Sequence, residues 1–150
     1  MGKTTFSGPV QAGTVREGAS ANVGGAVLSQ TASFGFADTG AFLSGIILPA
    51  GAQIIDQIVD VTTVWDSVTS DALEIGTLAD PDAYGDVADL QTGGRAVVDP
   101  DATQGAAIDD IGDSDIPVYL KITSAGGSLT TGAARLTITY RQFAVADSLG

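Results

Sequence analysis

Thirteen residues constrain this chain more than any others: Gln53–Trp65, QIIDQIVDVTTVW. Eight of them are β-branched (Ile54, Ile55, Ile58, Val59, Val61, Thr62, Thr63, Val64). Such side chains are stiff at χ1 and suit a pleated surface better than a helix. Alternation sets Ile55, Val59, Val61 and Trp65 against Asp56 and Asp60, two sets that a strand puts on opposite faces. Ile54, Ile55, Ile58, Val61 and Trp65 also fit helical spacing, and composition decides for the strand. The expectation is a central strand with Ile55, Val59, Val61 and Trp65 in the core.

Other segments repeat the period of two. Ala26–Phe36 places Ala26, Leu28, Ala32, Phe34 and Phe36 on one face and Val27, Ser29, Thr31 and Ser33 on the other. Ile116–Thr123 puts Ile116, Val118, Leu120 and Ile122 together; Ala134–Phe143 does the same with Leu136, Ile138 and Tyr140. Val118, Leu120, Leu136 and Ile138 join the expected core. Asp71–Leu78 points Leu73 and Ile75 inward and Glu74 outward. Phe42–Leu48 is apolar on both faces except at Ser44 and Gly45, which predicts a strand that is central or covered on both sides. Asp80 and Pro81 read as the cap and first turn of a short helix over Ala83–Leu90, with a short strand over Arg95–Val98.

Roughly seven strands separated by polar turns predict an all-β, single-domain β-sandwich, of which a jelly roll is one form. The body spans residues 26–150. Residues 1–25 are Gly-rich and sparsely apolar, and read either as a frayed terminus or as an extended N-terminal arm that orders on a partner or a neighbouring subunit, with Phe6, Val10 and Val15 then its anchors.

Charge narrows the partners. Eighteen acids against six bases give a net charge of −12, which repels phosphate backbones and anionic membrane surfaces. Neither nucleic acid nor membrane is expected as a partner. The chain has no Cys and no His, so thiolate sites, the usual zinc ligand and the commonest general base are all missing. No catalytic residue and no cofactor are expected. The first residues, MGKTTFSGPVQAGT, contain no apolar block of a secretory signal, so synthesis in a cytoplasm is expected.

Residues 79–115 hold ten acids and one base, Arg95, with little periodicity. Loops of this length in a small domain often carry function. Asp80 and Asp82 begin the spacing of an oxygen-ligand calcium loop. The pattern then fails, with Tyr84 in place of an oxygen ligand and Gln91 where a bidentate Glu belongs. Asp109, Asp110, Asp113 and Asp115 crowd around Gly112. The plain reading of the first cluster is a proline-led turn and helix cap, and of the second a solvated, charged loop, with docking onto a basic partner as an alternative; Asp80, Asp82, Asp109 and Asp113 are the candidates if a cation binds. Asp56 and Asp60 are a carboxylate pair in sequence only, because glycosidases add a cleft and aromatic platforms and aromatics here are 6%.

The order of motifs is familiar. A KTTFSGPVQAGT arm precedes LPAGAQIIDQIVDVTTVWD, then LEIGTLADPDAY, then IPVYLKIT and ARLTITYRQF. This order resembles the head decoration, or cement, proteins of tailed bacteriophages. The resemblance implies a non-enzymatic virion protein on the outer capsid surface, made in the host cytoplasm. It implies trimers at local three-fold positions that clamp neighbouring major capsid subunits, with the arm contributing to the clamp. Phe6, Val10, Val15 and Arg16 are then the capsid-contact candidates. Tail and fibre proteins share the Gly/Ala/Thr/Val palette, so the alternative is a receptor- or glycan-binding β-module. Such a module would use the 79–115 loops.

Overall fold

The computed structural model describes residues 25–98 and 100–143. Eight strands and one helix follow in the order β1 (Gly25–Gly35), β2 (Gly40–Leu48), β3 (Ala52–Thr63), β4 (Ser70–Gly76), β5 (Gly85–Val87), β6 (Gly94–Val97), α1 (Ala102–Asp109), β7 (Ile116–Ala125) and β8 (Ala133–Phe143). Two four-stranded sheets form, ordered β1-β8-β3-β6 and β2-β7-β4-β5. The pairs nest: β1 with β8, β2 with β7, β3 with β6, β4 with β5, all antiparallel. Successive pairs alternate between the sheets. One long hairpin has been rolled up, which is a jelly roll.

The core lies between the sheets. Phe34, Ile54, Val59, Val61, Leu136, Ile138 and Tyr140 enter it from the first sheet, and Ile46, Leu48, Leu73, Ile75, Val118, Leu120 and Ile122 from the second. Trp65, just past β3, is buried at one end with its ring 5.8 Å from Phe34.

Ile55 is not in this core; it is 48% exposed, and Ile54 is buried instead. The register explains the exchange. Ile54 faces Tyr140 and Asp56 faces Thr139, so Ile55 is an extra residue without a partner on β8. A bulge of this kind shifts the alternation by one and carries a side chain to the other face. A second irregularity lies between Val61 and Thr63.

Two further expectations change. The strand over Phe42–Leu48 is an edge, not a centre, so its two apolar faces do not mean two covers. The helix is at Ala102–Asp109, not Ala83–Leu90. Asp101 accepts hydrogen bonds from the backbone N–H of Thr103 and Gln104, while its own N–H donates to Gln104 Oε1 at 2.8 Å. That reciprocal pair caps the first turn. Residues 81–84 instead make a turn, and Tyr84 N–H donates to Ile75 O at 2.9 Å, which starts β5 against β4.

Candidate interaction surface

The described carboxylates do not assemble a reaction centre. Asp60 is held between Arg135 Nη2 at 3.1 Å and Arg95 Nε at 3.4 Å on the outer face of the first sheet. The Arg135 hydrogen bond, with help from Arg95, lowers its pKa. Asp56 is exposed and takes no part in this cluster. Among the described residues, no three His, Cys, Asp or Glu side chains converge as a metal site would require.

Charge is nevertheless concentrated. Gly25 pairs with Phe143, so β1 begins and β8 finishes at the same end of the roll. The connections at 49–51, 77–84 and 98–115 meet there. Gly51 N–H donates to Gly112 O at 2.7 Å, Ala50 N–H to Asp115 Oδ1 at 3.0 Å, and Gln53 Nε2 to Asp109 Oδ1 at 3.2 Å. The described part of these loops holds seven Asp (80, 82, 101, 109, 110, 113, 115) and no Lys or Arg. Asp80 and Asp82 do come together. With Asp101 and Gln104 they line a cavity of about 230 Å³. Protonated Asp80 can donate to the Asp82 carboxylate, and this bond, aided by desolvation and the nearby Asp82 charge, raises the pKa of Asp80. Asp109 and Asp113 lie in the other connection, and Asp113 is exposed.

The perimeter offers a different surface. Each sheet has two edges. β5 is three residues long and carries Asp86; β6 is four residues long and carries Arg95. β2 is broken between Leu43 and Ile47. There Gly45 adopts φ +88°, and Ser44 Oγ donates to Val118 O at 2.8 Å while accepting from Ile46 N–H at 3.0 Å. Short strands, charges and bulges are the usual ways to blunt an edge. β1 has none of them. Its eleven residues pair with β8 without interruption and include no charge and no proline.

Apolar side chains surface beside these edges. Val27 on β1 is 60% exposed and Leu28 42%. On the outer face of the second sheet, Leu43 (59%) faces Tyr119 and Ile47 (53%) faces Pro117. Reading β2 as a covered strand hid this patch. The only sequence clue was Ser44-Gly45, which marks the bulge. The arm candidates Phe6, Val10, Val15 and Arg16 lie outside the described residues.

In sequence, the chain matches no protein-family model and no curated protein. Its fold has solved counterparts. A chain of the acidic stable capsid structure of Helicobacter pylori bacteriophage KHP30 superposes with a TM-score of 0.56, at 13% identity, covering 80% of this chain and 93% of that one. The fold is one that phage capsids contain. A chain of the cyanophage Pam1 capsid asymmetric unit gives a TM-score of 0.60 at 19% identity, covering 87% of this chain and 94% of that one.

Proposed function

We propose that this chain is a non-enzymatic virion structural protein that binds the outer surface of a phage capsid and cements neighbouring major capsid subunits. The observation that carries this reading is the fold likeness to two phage capsid chains over more than nine-tenths of their length. The motif order read from the sequence favours the same assignment. A rigid roll with a Gly-rich arm suits a clamp. The body supplies shape, and the arm reaches a neighbouring subunit through Phe6, Val10, Val15 and Arg16. Trimers at local three-fold positions bring several such contacts to one place. Each contact is modest, and their sum across the lattice stiffens the shell by avidity. The acidic pole directs the body towards basic or neutral surfaces and away from packaged nucleic acid.

Deleting residues 2–20 tests this. The truncated protein is expected to keep the β-sheet circular dichroism and thermal transition of the full chain. It is also expected to leave purified heads undecorated under the electron microscope. Normal occupancy by the truncation would refute the arm's role. Full-length protein that binds host cells or glycans but not heads would favour the tail-module reading instead.

A further inference from the structure

We propose that the free edge of β1 is a self-association site, at which two copies pair their β1 strands antiparallel across a two-fold axis. The contact goes beyond head binding and does not depend on it.

In a two-sided ladder each strand spends its N–H and C=O groups alternately on left and right. β8 satisfies one row of β1, and among the described residues no strand stands on its other side. Among the described residues the edge is closed only at its end, where Asp38 Oδ2 accepts from Gly35 N–H at 2.9 Å. At about 3.3 Å per residue, the stretch from Ala26 to Phe34 presents roughly 30 Å of unpaired backbone. An open, regular edge of this kind is a template for another strand. The other three edges are shortened, charged or bulged, so the exception is confined to β1.

Charge favours a second copy at this place. The chain is strongly acidic, and copies repel over most of their surface. From Ala26 to Phe34 there is no carboxylate. The charged β8 residues opposite this edge are Arg141, facing Val27, and Arg135, facing Ser33. Two acidic bodies can approach here without meeting like charge. The row Val27, Ser29, Thr31, Ser33 is small and exposed, so it can face its own copy without steric conflict. A pairing centred on Thr31 sets Ser29 opposite Ser33 and Leu28 opposite Phe34. Leu28, half exposed although it follows the core-facing alternation, gains an apolar neighbour.

The chain has no cysteine, so single thiols report directly. Ser29→Cys, Thr31→Cys and Ser33→Cys are each introduced into the full chain, with Thr103→Cys on α1 as control. In an antiparallel self-pair, only the residue at the two-fold axis faces itself. One of the three is therefore expected to yield roughly tenfold more disulfide dimer than the control at equal concentration, through its high effective concentration. In sedimentation, the native chain is expected to reach twice the mass of Ser29→Asp/Ser33→Asp, whose thermal transition stays unchanged. Three thiols that cross-link no better than Thr103→Cys would overturn the proposal. So would equal masses for the native and doubly acidic chains. Cross-links from β1 to a capsid subunit on decorated heads, without links between copies, would overturn the choice of occupant.

Discussion

The carboxamide of Gln30 on β1 takes the place of a peptide unit against Ile47 on β2. Its Nε2 donates to Ile47 O at 2.6 Å, and its Oε1 accepts from Ile47 N–H at 3.1 Å. The two strands belong to different sheets. The same Nε2 lies 3.0 Å from Tyr140 Oη on β8. One side chain thus satisfies an edge residue of the second sheet and fastens it to the first.

Replacing Gln30 with Ala removes all three contacts and leaves a backbone N–H and C=O of β2 without them. Water reaches this half-buried edge, so the expected loss is about 1–2 kcal/mol. Urea unfolding followed by circular dichroism measures it. A change within error would mean that solvent replaces the carboxamide fully.

The bulge in β3 separates two adjacent isoleucines. Ile54→Ala opens a cavity in the core and is expected to cost about 2–4 kcal/mol. Ile55→Ala changes an exposed side chain and is expected to cost less than about 1 kcal/mol. Chemical denaturation of the two variants side by side is decisive. The reverse ranking would place the bulge elsewhere.

Gly132 lies against the indole of Trp65. It adopts φ +149°, and a Cβ added there would stand 2.6 Å from two ring atoms of Trp65. Gly132→Ala therefore forces the ring or the β7–β8 connection to move, at an expected cost of about 2 kcal/mol or more. Trp65 is the only tryptophan, so its fluorescence reports the shift directly. Emission unchanged in both wavelength and thermal midpoint would contradict this packing.

Asp66 ties the β3–β4 connection to the β7–β8 connection. Its carboxylate accepts from Thr130 Oγ1 at 2.5 Å and from the N–H groups of Thr130 and Thr131 at 2.8 and 3.1 Å. These bonds, the Thr130 hydroxyl foremost, lower its pKa from 3.8 to about 2. A depressed carboxylate stabilises the fold above its unfolded pKa, and that contribution fades as pH falls through the folded one. The window runs from about pH 4 down to about pH 2. Asp66→Asn is expected to be less stable at neutral pH and to lose less on acidification across that window. Parallel acid titrations of the two proteins would expose an identical slope, the contrary result.

Much of the roll was legible because alternation is a local property. β1, β7 and β8 show it cleanly, and Phe34, Val118, Leu120, Leu136 and Ile138 are buried as their spacing implies. β3 was recognisable as a strand but not in phase, since QIID gives two isoleucines and no mark of which is extra. β2 misled for another reason. Apolar residues on both faces cannot distinguish a covered strand from an edge with an outward patch. The α1 cap was present as Asp101 and Gln104 behind Pro100, with a weaker apolar pattern than the segment chosen for the helix. Edge identity was out of reach, because sheet order arises from pairings distant in sequence. The blunting of three edges and the openness of the fourth emerge only from that order.

The nested pairing also sets a timetable. Gln30 and Tyr140, which touch across β1 and β8, are 110 positions apart in sequence. On a ribosome β1 is made first of the described strands and must wait for β8, the last of them, before the first sheet exists. Closing so long a loop is entropically slow, and topologies dominated by such contacts fold in milliseconds to seconds. During that interval β1 presents two free edges instead of one. Crowded synthesis, as in a cell producing many copies at once, therefore puts this strand at the greatest risk of joining the wrong chain.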